Sequence, residues 1–361
     1  MDKQYTIAVL GSHSALDVCR GAKDLGFKTL VIVQKGRDKT YAKYYKSENG
    51  LGCVDEIIEL DKFSDILTDK IQKELQKRNS IFIPHRSFEV YINDYDAIEK
   101  KFKVPMFGNR FLLKCEERGV KPNQYDLLDS AKIRYPKQFS NPKDIDRLVI
   151  VKVLEKERGF ERAFFFAESF QEYEIGIKQG LGLGRFSEEQ IKSAVIEEFI
   201  IGVQVNFNFF YSPINNRLEL IGTDTRRQTN IEGLTKLPAM YEEEVMKKVG
   251  VKYEEAGHIA VTVLESLLED AYELGERFVD ACKKMKVPVI GPFGLQTMIT
   301  AGPPKKEIIV FDVSPRMPGS PGIFATPYSG YLYGQNISMG KRVAMEIKEA
   351  IEKGELKKIL T

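Results

Sequence analysis

The sequence predicts a chain that joins two fold classes, an α/β region followed by an α+β region. In the first third, short apolar runs alternate with segments of helical period, which is typical of parallel strands joined by helices. Farther along, strand-like runs follow one another with turns between them, which favours an antiparallel arrangement. A length of 361 residues is enough for two or three domains, so we expect an N-terminal domain with a parallel sheet, followed by antiparallel units.

The N-terminal elements follow from these runs in chain order. Parallel strands are expected at 5–10, 29–33, 57–60 and 80–84, and helices at 14–25 and 66–78. A short strand at 104–107 and an amphipathic segment at 110–118 should close this region. The polar stretch over 119–141 then indicates a crossing between domains.

The later elements are predicted by apolar runs between turn residues. Strands are expected at 148–154, 163–167, 194–200, 203–211, 218–222, 291–299 and 307–314. A long helix is expected at 264–284 and a last helix from about 338 to 352.

Composition excludes several classes of protein. The chain has 54 Lys and Arg against 52 Asp and Glu, a net charge of +2 without long runs of one sign, so we expect no nucleic-acid partner. No stretch approaches the ~20 apolar residues that span a bilayer, so we expect no membrane partner. The four cysteines are widely spaced, which argues against a disulfide framework and favours a reducing, cytoplasmic location.

His13 and Ser87 each follow a predicted parallel strand. The carboxyl ends of such strands face the ligand crevice of an open α/β sheet, so both side chains could contact one small molecule. The stretch Gly11-Ser12-His13-Ser14 also opens a helix, where backbone N–H groups favour a phosphate. The alternative is that Gly11 only makes the turn and a serine caps the helix.

Lys152 lies within a strand-like run, where an ammonium group needs an anionic partner unless it faces solvent on an edge strand. A phosphate would be such a partner. Glu197 and Glu198 end another strand shortly before Gly202, where their carboxylates could meet a purine nucleoside. Acidic pairs are also common on ordinary protein surfaces.

Gln296 and Asp312 lie on two strands that are predicted to be adjacent. One oxygen ligand from each could hold Mg²⁺ against a nucleotide triphosphate, with waters completing the octahedron. Arg316 could neutralise a transferring phosphoryl group, and Arg226 could bind a phosphate. The alternatives are a buried Asp and Gln satisfied by turn backbone, and an Arg226 on a solvated turn.

Eight short stretches spread along nearly the whole chain carry a family resemblance. They are LGSHS at 10–14, KGRD at 35–38, PHRSF at 84–88, VPMFGNR at 104–110, FYSP at 210–213, NIEGL at 230–234, GPF at 291–293 and SMG at 338–340. Together they resemble the archaeal formate-dependent 5-formaminoimidazole-4-carboxamide ribonucleotide (FAICAR) synthetases, which belong to the ATP-grasp superfamily.

The resemblance implies a fold and a reaction. The ATP-grasp fold would divide the chain into a Rossmann-like domain at 1–118, a lid at 119–202 and a C-terminal mixed-sheet domain at 203–361. ATP with Mg²⁺ or Mn²⁺ would activate formate as formyl phosphate, which the amine of 5-aminoimidazole-4-carboxamide ribonucleotide (AICAR) attacks. A homo-oligomer is expected from the same resemblance.

The resemblance also implies residue roles. His13, Ser87 and His258 would contact the ribonucleotide; Lys152, Glu197, Glu198, Ile200 and Gln228 would line the ATP site; and Gln296 and Asp312 would bind the metal. The chain departs from the family at Gln228, where the family has Glu, and at His258, where it has Asn. Asp312 replaces a metal-binding Glu, and the loop over 154–162 keeps one glycine of a glycine-rich loop.

These departures leave three functional hypotheses. The first is a working formate-dependent ligase that acts on AICAR. The second is an ATP-grasp ligase with a changed carboxylate or acceptor. The third is a catalytically weak nucleotide-binding paralogue that pairs with an intact homologue.

Overall fold

Three separate β-sheets make up the framework of the described chain. A computed structural model describes residues 4–117, 119–152, 164–229, 231–249, 255–302 and 305–361. The loop over 154–162, with its altered glycine content, lies outside these ranges. Within them, no helix combines the length and apolar character that crossing a membrane requires.

The N-terminal sheet is parallel, in the strand order β3-β2-β1-β4. Its strands are β1 Thr6–Leu10, β2 Lys28–Gln34, β3 Glu56–Leu60 and β4 Ser80–Ile83. All residues of β1 and β4 are buried, as expected for a parallel sheet covered on both faces. The helices of this region are α1 Ala15–Asp24, α2 Asp69–Lys77, α3 Arg86–Ile92, α4 Tyr95–Lys100 and α5 Arg110–Leu113.

One N-terminal expectation is wrong. The segment 104–107 makes two isolated bridges, a parallel one from Met106 to Phe82 and an antiparallel one from Phe107 to Leu360, rather than a strand. Pro105 has no N–H to donate, and the amide of Met106 donates to the carbonyl of Thr361 at the other end of the chain. The amphipathic segment that begins at Arg110 forms one turn of α5 followed by a 3₁₀ turn at Lys114–Glu116.

The middle sheet is small and antiparallel, in the order β6-β5-β7. Its strands are β5 Val149–Lys152, β6 Phe164–Ala167 and β7 Val195–Glu198, and its helices are α7 Phe170–Gly182 and α8 Glu188–Lys192. Helix α6, Gln124–Ser130, precedes it and packs into the core of the C-terminal region through Leu127 and Leu128.

The C-terminal sheet has the order β10-β9-β8-β11-β12 and is antiparallel at every pairing, so the expectation of a mixed sheet is wrong. Its strands are β8 Val203–Ser212, β9 Arg217–Gln228, β10 Glu255–Ala260, β11 Gly291–Ile299 and β12 Ile308–Ser314. Strand β9 is longer than the predicted run, which places Arg226 on a strand and not on a solvated turn. Strand β10 was not predicted, because its sequence EAGHIA has little apolar patterning.

The remaining helices complete the C-terminal region. They are α9 Ile231–Leu234, α10 Ala239–Lys248, α11 Leu268–Lys284, α12 Tyr328–Tyr333 and α13 Met339–Glu352. Shorter elements are the π-helical turn Thr40–Tyr44 and the 3₁₀ turns Phe63–Leu67, Pro142–Asp144, Glu265–Leu267, Pro321–Ala325 and Leu356–Lys358.

The first and last long helices, α1 and α13, are in direct contact and join the N-terminal sheet to the C-terminal region. Gly21 and Gly340 allow the contact: a Cβ on Gly21 would lie 2.2 Å from the amide nitrogen of Lys341, and one on Gly340 would lie 2.2 Å from the carbonyl oxygen of Asp17. The amide of Gly340 also donates to the Asp17 carboxylate at 2.9 Å. This close packing fixes the N-terminal sheet beside the C-terminal sheet, where the site lies.

Candidate active site

A polar cavity of about 390 Å³ lies between the loops after β1 and β4 and one face of the C-terminal sheet. Six residues singled out from the sequence line it, although they come from positions up to 303 residues apart: His13, Arg226, His258, Gln296, Asp312 and Arg316. Arg86, Glu116, Asn206, Asn208, Asp224 and Glu255 complete its charged and amide lining. Such a lining suits an anionic, hydrogen-bonding ligand.

His13 enters the cavity from the loop after β1. Its backbone has φ of 51°, a left-handed conformation that turns the chain between the strand and α1. The ring stacks on His85 with centroids 5.2 Å apart, and Nδ1 lies 2.7 Å from the hydroxyl of Ser14. Burial, with the neighbouring His85 and Arg316, lowers the pKa of His13 to about 2. The imidazole is therefore neutral at physiological pH and can donate or accept a hydrogen bond.

Ser87 does not line the main cavity. Its hydroxyl donates to that of Ser12 at 3.0 Å, and Ser12 lines a second, adjoining cleft of about 270 Å³ at the carboxyl ends of β1 and β2. The side chains of Arg37 and Lys39 also line this cleft. His13 and Ser87 thus lie near two different spaces at the same sheet edge.

Asp224 organises the polar face of the C-terminal sheet. It is buried on β9, and its carboxylate accepts from the amide groups of Asn206 at 2.9 Å and Asn208 at 2.6 Å on β8. It also bonds Nδ1 of His258 on β10 at 2.5 Å, while Nε2 of His258 lies 3.0 Å from Glu255. Burial opposes a charge on His258, but the bonds to Asp224 and Glu255 raise its pKa to about 9, so the imidazolium is charged at neutral pH.

Gln296 and Asp312 lie opposite each other in the register of β11 and β12. The Gln296 amide nitrogen donates to Asp312 at 2.8 Å and to the Ser314 hydroxyl at 3.2 Å, and its oxygen accepts from Arg226 at 3.1 Å. Arg226 Nε also lies 3.2 Å from a carboxylate oxygen of Glu255. One contiguous polar network therefore connects the two carboxylates, the amide and the guanidinium.

Arg316 reaches the cavity from the segment after β12 and is held by carboxylates of the N-terminal region. Its Nη2 donates to Glu116 at 2.9 Å, and its Nε lies 3.9 Å from Glu89. Arg86 is 3.2 Å from Glu89 in the same cluster. Burial and the charge of Glu116 raise the pKa of Glu89 to about 8. Glu89 and Glu116 were not predicted from the sequence.

The residues expected to contact ATP lie away from this cavity. Lys152 forms an ion pair with Glu197 across β5 and β7. Glu198 accepts from the backbone amide of Lys137 at 3.1 Å and from Arg134 at 3.0 Å. Ile200, just beyond β7, is half-buried.

Gln228 also lies outside the cavity lining, at the end of β9. It pairs with Glu255 in the strand register, and its backbone amide donates to Glu232 at 2.9 Å.

Metal-ligating side chains are sparse among the described residues: no group of three or more His, Cys, Asp or Glu is placed to hold an ion. Asp312 offers a hard carboxylate oxygen, but Gln296 directs its amide nitrogen to Asp312 and its oxygen to Arg226, so the amide would have to turn over to bring its oxygen to an ion beside Asp312. Asn206 faces Gln296 across β8 and β11, and its buried side-chain oxygen has no hydrogen-bond partner within the described ranges. These oxygens fit an ion that takes its remaining ligands from water and a nucleotide.

Asn206 and Asn208, and through them Asp224, could have been identified from the alternation of polar and apolar residues along β8. In β8 the sequence VNFNFF places asparagines on one face of a strand that is otherwise apolar, and such amides need a partner on the neighbouring strand.

Two family models match the chain. One, described as a domain of unknown function (DUF1297), covers residues 172–361, and the other, described as a protein of unknown function (DUF1246), covers residues 7–139.

Curated relatives match over nearly the full length. The chain is 40% identical to the 5-formaminoimidazole-4-carboxamide-1-(beta)-D-ribofuranosyl 5'-monophosphate synthetase of Methanothermobacter thermautotrophicus, over 99% of this chain and 95% of that protein. It is 38% identical to the protein of the same name from Methanocaldococcus jannaschii, with the same coverage.

Solved structures share the fold. The IMP biosynthesis protein PurP from Thermococcus kodakaraensis superposes with a TM-score of 0.72 at 28% identity, over 98% of this chain and all of that one. Phosphoribosylglycinamide synthetase from Anaerococcus prevotii gives a TM-score of 0.58 at 15% identity, over 97% of this chain and 75% of that one. The expected ATP-grasp fold is confirmed, with a parallel N-terminal sheet, a small antiparallel lid sheet and an antiparallel C-terminal sheet.

Proposed function

Because the chain belongs to the family of FAICAR synthetases, ATP-grasp ligases of purine biosynthesis, we propose that it formylates AICAR with formate and ATP. One observation carries the proposal beyond the family: the cavity joins anion-binding groups with hard oxygen donors. Arg226, Arg316 and His258 supply positive charge, and Gln296 and Asp312 supply the oxygens. Phosphoryl transfer needs this combination, because its catalysis consists mainly of positioning and neutralisation of charge.

The proposed reaction has two steps. An oxygen of formate forms a bond to the γ-phosphorus of ATP as the bond from that phosphorus to the oxygen of ADP breaks, giving formyl phosphate. The amine of AICAR then attacks the formyl carbon, phosphate leaves, and the nitrogen loses a proton. Formyl phosphate is labile in water, so the half-enclosed cavity would protect it.

The ribonucleotide would bind along the carboxyl edge of the N-terminal sheet. His13 is neutral and can exchange hydrogen bonds with the uncharged carboxamide or amine. The cleft lined by Ser12, Arg37 and Lys39 would offer cations to a 5′-phosphate, and the Ser87 hydroxyl donates to Ser12 at its wall. His258 would contact the acceptor from the opposite sheet.

ATP would lie between the lid sheet and the C-terminal sheet, with its phosphates at the cavity. The Lys152–Glu197 ion pair would give a phosphate and a ribose hydroxyl each a charged partner, and Glu198, Ile200 and Gln228 would complete the ATP site. These residues do not line the cavity in the described chain, so ATP binding would require the lid to approach the C-terminal sheet.

Asp312 and Gln296 would hold Mg²⁺ or Mn²⁺ once the Gln296 amide turns its oxygen from Arg226 to the side of Asp312. When bound, the ion would neutralise charge on the phosphates of ATP. Arg226 and Arg316 would neutralise the oxygens of the transferring group from the protein side.

We also propose that copies of the chain associate. Phe324, Tyr331 and Leu332 are exposed apolar side chains within nine residues of one another, around α12. A patch of this kind on a metabolic enzyme favours self-association. Light scattering should give a mass above 41.2 kDa, and a monomer at micromolar concentration would contradict this proposal.

The function is tested by ADP release with Mg-ATP, formate and AICAR, leaving out each component in turn and identifying the product by its mass. We expect release to require all three and the product to be FAICAR. Release with another carboxylate or acceptor would instead indicate a changed substrate. ATP binding without turnover would indicate a nucleotide-binding paralogue.

A further inference from the structure

Glu255 places a carboxylate between two cations at the cavity wall. One of its oxygens lies 3.0 Å from Nε2 of His258, and the other lies 3.2 Å from Nε of Arg226. The hydrogen bond from His258 lowers the pKa of Glu255, so the carboxylate is ionised at neutral pH. A single carboxylate of the chain thus bridges an imidazolium and a guanidinium.

The two carboxylates on His258 differ in how firmly they are held. The Asp224 side chain is 1% exposed and is fixed by Asn206 and Asn208, whereas the Glu255 side chain is 44% exposed. Asp224 therefore holds the orientation of the imidazole and favours its protonated form. Glu255 can swing towards solvent without leaving a buried charge behind.

The contact between Glu255 and Arg226 is incomplete. Arg226 Nε is buried and makes no hydrogen bond with any described residue, although the Glu255 oxygen is at ion-pair distance. The angle at the N–H is thus unsuitable for the tethered carboxylate. A free carboxylate could take a better position, because it is not limited by a side chain.

We propose that Arg226 and His258 form the subsite for the small carboxylate substrate, through which His258 would face the acceptor, and that Glu255 occupies this subsite until the substrate displaces it. The identity of the substrate as formate rests on the proposed function. Arg226 also donates to Gln296 at 3.1 Å, so the same guanidinium contacts both the subsite and a proposed metal ligand. A carboxylate bound there would have its oxygen beside the expected position of the γ-phosphate.

Displacement of an internal carboxylate makes a quantitative prediction. If Glu255 fills the subsite nine-tenths of the time, the apparent affinity for formate is reduced about tenfold. The variant Glu255→Gln should therefore bind formate up to about tenfold more tightly than the wild type. If Glu255 instead served to hold Arg226 and His258 in place, the same variant would bind formate more weakly.

The experiment measures formate binding without turnover. ¹³C-formate line broadening is titrated against the full-length wild type, Glu255→Gln and Glu74→Gln, with chloride keeping the ionic strength constant. Glu74 is a matched control, since it also bridges two cations, Arg78 and Lys77, and has a similar exposed fraction, but lies on α2 away from the cavity. Circular dichroism confirms folding, and Glu255→Ala replaces the Gln variant if the latter is unstable.

Tighter formate binding by Glu255→Gln, with Glu74→Gln at the wild-type value, supports the subsite. Equal or weaker binding by Glu255→Gln overturns it. The proposed function is judged separately by ADP release. Formate-dependent release in the wild type with no gain in Glu255→Gln would overturn the subsite alone. Tighter binding by the variant without formate-dependent release in the wild type would overturn the function and keep the carboxylate subsite.

Discussion

None of the three histidines of the chain should change its protonation state in the pH range where an ordinary histidine titrates. Their environments set the pKa of His13 to about 2, of His85 to about 4 and of His258 to about 9. Between about pH 5 and pH 8, where histidines usually change charge, none of the three should do so. His258 should carry its charge throughout, and the other two should stay neutral.

The magnitude for His258 follows from its two carboxylates. A rise of the pKa from 6.5 to about 9 corresponds to about 3 kcal/mol in favour of the charged imidazolium. Because the folded pKa exceeds the unfolded one, this contribution to stability is fully present below pH 6.5 and is lost as the pH rises through about 9. His13 and His85 have the opposite sign, since burial depresses their pKa values: their contribution is present above pH 6.5 and is lost on acidification.

Replacing Asp224 with Asn tests the cause. The variant keeps the size of the side chain but removes the buried charge that faces His258, so the pKa of His258 should fall and its titration should enter the observable range. Glu255→Gln removes only the exposed partner and should lower the pKa less.

The assay is an NMR titration of the imidazole C2 protons, with His258→Gln identifying the resonance of His258. In the wild type, all three resonances should keep constant shifts from about pH 5 to pH 8. A wild-type midpoint for His258 near its ordinary pKa of 6.5 would refute the assignment of two carboxylate partners, and with it the charged wall of the cavity.

Three further predictions concern activity and stability. Asp312→Ala should lose metal-dependent ADP release while its circular dichroism spectrum stays that of the wild type; wild-type release would contradict the metal assignment. His13→Ala should raise the KM for the ribonucleotide about tenfold, the effect of one lost hydrogen bond, and leave the KM for ATP unchanged; equal increases in both would indicate a structural histidine. Arg342→Ala should lower the free energy of unfolding by about 3–5 kcal/mol in a denaturant titration, since it strands two buried glutamates. Lys353→Ala, which breaks an exposed pair, should change that free energy by less than about 1 kcal/mol, and equal losses in the two variants would contradict the argument.

The periodicity of apolar residues predicted the strands that carry the cavity, but not which of their polar residues contact one another. The runs at 203–211, 291–299 and 307–314 are strands, because each carries enough apolar residues to bury a face. Because β11 and β12 follow one another along the chain with a short connection between them, their pairing was also predictable. The register of the pair brings Gln296 opposite Asp312.

Residues that act through partners on other strands were beyond prediction. Glu255 lies on β10, whose few apolar side chains gave no strand pattern, and Asp224 lies where the predicted run had already ended; His258, on the same strand as Glu255, was identified only through the family resemblance. Their meaning depends on the register of β10 with β9, which places His258 opposite Arg226. Local sequence does not encode that register, because it is set by pairing across a long connection.

The cluster behind Arg316 shows why the cavity depends on assembly of the whole chain. Glu89 and Glu116 come from the N-terminal region, whereas Arg316 follows the last strand of the C-terminal sheet, so burial of its guanidinium is offset only when both are folded together. Burial and the charge of Glu116 raise the pKa of Glu89, so this carboxyl keeps its proton to a higher pH than an ordinary glutamate. Ionisation of Glu89 would place a second anion beside Arg316 and offset more of the charge that the guanidinium brings to the cavity. Binding of an anion at Arg316 should therefore weaken as the pH rises through the ionisation of Glu89.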